Sequence, residues 1–129
     1  MYLRFIVVAP WARPAIGLFR SHYDPRDDHQ LPEWLRAPID EHYAWFNDNL
    51  AIPRRFTVVS RRRLIYAGIC WFRAEAREHI ARARELARLI SEAGQPTAML
   101  KTRRPGQILW RDDHQIVAKP EARPSWRYR

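Results

Sequence analysis

The residues best able to do chemistry in this chain are its arginines and three of its histidines. Arg54, Arg55, Arg61, Arg62 and Arg63 precede an apolar run, and Arg73, Arg77, Arg84 and Arg88 recur at helical spacing after it. Lys101, Arg103, Arg104 and Arg111 flank the strands that follow. Guanidinium groups grip phosphate or carboxylate through paired hydrogen bonds and stack on aromatic rings. A patch of them gives salt-dependent affinity for nucleic acid, or holds an acidic protein. Trp71, Trp110, Trp126 and Tyr128 are interleaved with these cations as possible stacking surfaces for unpaired bases. The bland alternative is a solvated arginine face with the tryptophans in the core. No helix-turn-helix, zinc-finger or GXXG signature accompanies the charge.

His42, His79 and His114 suggest a different chemistry. If two helices bring His42 and His79 together, His114 beside Asp112 and Asp113 is the natural third ligand or general base. That arrangement would make a small metal-dependent or acid–base enzyme. The competing reading is a pair of core-lining histidines bonded to backbone. No His-Glu-x-x-His motif or cysteine pair supports a metal, and no glycine-rich loop supports a nucleotide. The serines sit in no nucleophile-elbow context. No catalytic residue and no cofactor follow from the sequence.

Composition narrows the field. A chain of 129 residues is about one domain long, and 47% hydrophobic residues can bury a core. Residues 1–53 hold five arginines against seven acids, −2, whereas residues 54–129 hold eighteen Lys and Arg against seven acids, +11. No apolar run reaches the roughly 18 residues that cross a bilayer. Residues 1–10 are too short for a signal peptide and read as a buried strand. The single cysteine, Cys70, precludes an internal disulfide, fits a reducing cytoplasm and sits in an apolar run, as an inert core thiol would.

The elements that must position these groups follow from periodicity. At 100° per residue, Ala76, His79, Ile80, Ala83, Leu86, Ala87, Ile90 and Ala93 share an arc of roughly 140°. Arg73, Arg77, Arg84 and Arg88 share a neighbouring arc of about 60°, and Glu78, Glu85 and Glu92 take the third side. The spacing predicts a helix over 73–93, closed by Gly94 and Pro96, though no capping residue stands at Arg73 or Ala74. A second helix is expected over 38–50, after a separate turn at 33–36, with Leu35, Ile39, His42, Tyr43, Phe46 and Leu50 on one face. Strands are expected over 2–9, 64–72, 97–102, 107–111 and 114–118. Shorter strands are possible over 15–20 and 54–60. Arg103-Arg104-Pro105-Gly106 fits a type II turn, and Asp112-Asp113 a two-residue hairpin. The strand over 64–72, the helix and the strand over 97–102 could form a right-handed crossover. The fold class is α+β: a mainly antiparallel sheet of four to six strands, two helices on one face and a C-terminal β-meander, in one domain over 1–120 with a tail over 121–129.

Several short stretches resemble a group of small bacterial proteins to which no activity is assigned. They are Met1-Tyr-Leu-Arg-Phe5, Trp45-Phe-Asn47, Cys70-Trp-Phe72, Glu78-His-Ile80, Lys101-Thr102, Arg104-Pro-Gly106 and Gln115-Ile-Val-Ala118. The resemblance implies a free-standing bacterial domain and brings no catalytic role. This chain departs from the group in its higher arginine content and in Ala74, where a capping residue is expected. The reading that follows is a small cytoplasmic binding protein. Its partner, acidic protein or nucleic acid, meets Arg54, Arg55, Arg61, Arg62, Arg63, Arg73, Arg77, Arg84, Arg88, Lys101, Arg103 and Arg104.

Overall fold

The computed structural model describes residues 1–8, 16–18, 31–53 and 68–119. The fold is α+β, with two helices among the described residues, a mainly antiparallel sheet and a closing series of three strands. In chain order the elements are β1 (Tyr2–Val7), β2 (Ile16–Gly17), α1 (Glu33–Asn49), β3 (Ile69–Arg73), α2 (Arg77–Glu92), β4 (Thr97–Thr102), β5 (Gln107–Arg111) and β6 (Gln115–Lys119). The expected strand over 54–60, the arginines of 54–63 and the tail lie outside the described residues. No described helix is long and apolar enough to cross a membrane. The residues fall into two compact units. One draws on 1–4, 51–53, 68–77 and 100–119, the other on 5–8, 16–18, 31–50 and 78–99.

In the first unit, β3 lies between the start of β1 and β6, and β6 between β3 and β5, all antiparallel. Tyr2 faces Arg73 and Leu3 faces Phe72. Trp71 faces Ile116, and with Ala118 these two side chains form the core, with Tyr2, Ile69, Leu100 and Ile108 packed around it. Residues 115–118 of β6 are all buried, the pattern of a strand covered on both faces. Its one polar member, Gln115, donates from Nε2 to the Ala51 carbonyl at 2.6 Å, which offsets the cost of burying an amide.

β4 takes β1 as its partner, while β5 and β6 form the hairpin. The hairpin turn is one residue longer than expected, spanning 112–114. Asp112 is the cause: its Oδ1 accepts the backbone N–H groups of His114 and Gln115, both at 2.8 Å, and replaces a tight two-residue turn. Gly106, in the segment between β4 and β5 where a turn is expected, has φ 108°, a backbone conformation that favours glycine.

Cys70 corrects an expectation. It lies in β3 as part of the apolar run, yet it is exposed. Hydrophobic neighbours in sequence do not guarantee a covered face, because successive side chains of a strand point to opposite sides of the sheet. Iodoacetamide is expected to alkylate the native protein at Cys70 without denaturant, as mass spectrometry would read. Labelling only after unfolding would place the thiol indoors.

In the second unit, α2 buries His79, Ile80, Ala83, Leu86, Ala87, Leu89 and Ile90. The expected apolar arc is therefore present, widened on one side by Leu89. The expected start is not. Arg73 ends β3, and the helix begins at Arg77 after a turn in which Ala76 N–H donates to Arg73 O at 2.9 Å. With no capping side chain, the chain completes its strand before it coils. At the other end Gly94 (φ 105°) closes the helix as predicted. Gln95 N–H donates to Ile90 O and Gly94 N–H to Ser91 O, the paired bonds of a Schellman motif. Nothing lies within 4 Å of where a Gly94 Cβ would sit. Gly94→Ala should therefore cost only the left-handed backbone penalty, about 1–2 kcal/mol, read as a lower urea midpoint with unchanged slope.

α1 is longer than expected. The turn over 33–36 and the helix over 38–50 are one helix with Pro38 inside it. Pro38 removes a single N–H near the helix start, and residues 39–49 beyond it restore the ladder. Pro32 opens the helix, its carbonyl accepting from Leu35 and Arg36. Leu35, Ile39 and Phe46 are buried, on the predicted face, with His42 and Tyr43 half-buried at its edge.

Candidate functional site

The three histidines are divided between the two units. His79, buried on α2, has its Nε2 2.8 Å from the Asn49 carbonyl that ends α1, and its ring meets Trp45 edge-on at 4.8 Å. It behaves as a core histidine, satisfied by an orphan carbonyl of a helix end. His42 belongs to the same unit; its Nδ1 is buried without a hydrogen-bond partner among the described residues. His114 belongs to the other unit, in the β5–β6 turn, with its N–H on Asp112 and its carbonyl accepting from Arg73 N–H at 2.9 Å. Among the described residues, no group of three or more His, Cys, Asp or Glu is placed to hold a metal ion.

The cations divide by what they touch. Arg88 is clamped by its own helix: Nε donates to Glu85 Oε2 at 3.1 Å, and its terminal nitrogens bond Glu85 and Glu92. Those hydrogen bonds hold the Glu85 carboxyl below its ordinary value and the Arg88 guanidinium above its own. Arg82 stacks over the Trp45 ring at 4.5 Å and lies 3.7 Å from Glu78. Arg73, placed on β3 rather than in the helical stripe, donates to the Asp112 carbonyl at 3.1 Å and pairs with Glu75 at 3.9 Å. The predicted row of four therefore reduces to three on α2, of which Arg88 already holds two carboxylates. Arg77 and Arg84 remain exposed, with Arg84 donating to Met99 Sδ at 3.9 Å.

A different group stays open. Lys101, Arg103, Arg104, Arg111 and Lys119 are exposed, and none has a carboxylate partner among the described residues. They sit on three short strands and the turn that joins two of them, all in the first unit. Lys119 was not among the residues picked out by spacing. The register places it opposite Gln107, beside the turn that carries Arg103 and Arg104, a neighbour relation that only strand pairing creates. Arg104 N–H is held by Thr102 Oγ1 at 3.0 Å, and Pro105 is buried, so the backbone presenting the two guanidinium groups is anchored. The only acids on residues 97–119 are Asp112 and Asp113, at the far end of the hairpin.

The aromatic complement is smaller than the sequence suggests. Trp71 is 1% exposed and belongs to the core, so it offers no stacking surface. Trp110 is half-buried on β5. Trp126 and Tyr128 lie outside the described residues. The arrangement can bind anions through charge and hydrogen bonds. Comparison with protein-family models, curated proteins and solved structures gives no match, so this open cationic group is read from its own chemistry.

Proposed function

We infer that the protein is a small, non-enzymatic, cytoplasmic binding protein whose arginine-rich surface meets a polyanionic partner, an acidic protein or a nucleic acid. One observation carries the reading: Lys101, Arg103, Arg104, Arg111 and Lys119 stand exposed with no carboxylate partner among the described residues, while Arg73, Arg82 and Arg88 are engaged within the molecule. Like charges gathered without counter-ions repel one another, and an incoming anion relieves that repulsion. The enzymatic alternative at His42, His79 and His114 has no comparable support, since His79 is committed to Asn49.

Fluorescence anisotropy with a mixed-sequence single-stranded oligonucleotide and with polyglutamate tests the reading. With five cations engaged, affinity for the single strand should fall about a hundredfold between roughly 50 and 200 mM salt. Polyglutamate binding should weaken in the same direction. If neither polymer binds at low salt, the reading fails.

A further inference from the structure

We propose that β5 is a docking edge, and that its occupant is an extended acidic segment of a partner protein that adds to the sheet as one more strand. This rests on the polyanion reading and deepens it by naming the shape of the partner. Among the described residues, β5 is hydrogen-bonded to β6 alone and ends the strand order. The turn sets which of its backbone groups face outward. Asp112 N–H donates inward to Gln115 O, so by antiparallel alternation the Arg111–Ile116 pair is the open kind and Arg111 turns its N–H and carbonyl to the outer side. Such a row of unmet donors and acceptors is a template for strand addition.

Charge decides what can use it. Gln107, Leu109 and Arg111 are exposed along the strand, with Arg103 and Arg104 just before it and Lys119 opposite Gln107. A second copy would set one cationic strand beside another, which disfavours edge-to-edge pairing of the chain with itself. A strand carrying glutamate or aspartate at alternate positions meets those same groups with opposite charge. The register slips by one residue between Ile108 and Trp110, so the ladder on offer is short. A short ladder gives few main-chain bonds, and the affinity then depends on side-chain charge, which favours an acidic strand over a neutral one.

The experiment uses the full chain, isotopically labelled, with three probes. They are a peptide of alternating glutamate and threonine, the same peptide N-methylated at alternate amides, and a mixed-sequence oligonucleotide. Saturating acidic peptide is expected to slow exchange of the Arg111 amide at least about tenfold. N-methylation, which removes the peptide's donors, should weaken binding by about tenfold or more. Equal binding of the methylated peptide with unchanged β5 amides would overturn the proposal and leave the polyanion reading standing, as would oligonucleotide binding without peptide binding. If none of the probes binds, both fall. Protection of the Arg111 amide with no probe present, together with a dimer in sedimentation, would show the edge covered by a second copy and also overturn it.

Discussion

Trp71→Ala is expected to cost about 3–5 kcal/mol of folding stability, a large part of what a domain of this size holds. The side chain is 1% exposed and lies against Ile116 and Ala118, with Tyr2, Ile69, Leu100 and Ile108 around it. Those neighbours come from five of the six strands, so no single segment can move in to fill the space left by the indole. Urea denaturation should show a much lower midpoint, or no folded baseline at all. Trp34→Ala is the companion measurement. Trp34 is 66% exposed on α1, and its loss should change stability by no more than about 0.5 kcal/mol. Equal effects from the two tryptophans would mean that the core is not where the structure puts it.

The second large effect concerns binding. Lys101→Gln, Arg103→Gln and Arg104→Gln together should lower single-strand affinity about a hundredfold at roughly 100 mM salt, and reduce the salt slope by about 2. Each exposed cation that meets a phosphate of a single strand adds about 0.7 to the salt slope through counter-ion release, so the three losses add in the exponent. Arg88→Gln is the contrast. That guanidinium already holds Glu85 and Glu92, and removing it should leave the slope almost unchanged. A triple variant that keeps the slope, or an Arg88 variant that lowers it, would relocate the binding surface to α2.

Much of the fold was legible because it repeats. The buried face of α2 follows the 3.6-residue period, and Gly94 and Gly106 fall where backbone geometry leaves glycine with little competition. The errors cluster where local pattern is silent about neighbours. Arg73 fits the helical arc by angle, yet periodicity cannot show where a strand hands over to a helix when no capping side chain marks the place. Cys70 shows that an apolar run reveals hydrophobicity and not which partner strand covers it. Pro38 was read as a helix start, whereas a helix this long tolerates it one turn in.

The candidate site was half legible for the same reason. Lys101, Arg103 and Arg104 are visible as a basic run around a turn. Whether a cation is available depends on which carboxylates reach it. For Arg88 the partners are three and four residues away and could be read from spacing. For Arg73 one partner is the Asp112 carbonyl, 39 residues away, and no spacing rule finds it. Aromatic residues among arginines suit either a stacking surface or a core, and sequence does not choose between them; Trp71 goes to the core, where it faces Ile116 across the β3–β6 pair.

The order of assembly has a consequence for synthesis. The start of β1 needs β3, and β3 needs β6, whose residues are among the last 15 of the chain. Until residues 115–118 are made, β3 lacks one of its two partner strands, and Trp71 must wait for Ile116. The first unit therefore cannot close segment by segment as its strands are made, and a nascent chain stalled before residue 115 should remain sensitive to protease across β3.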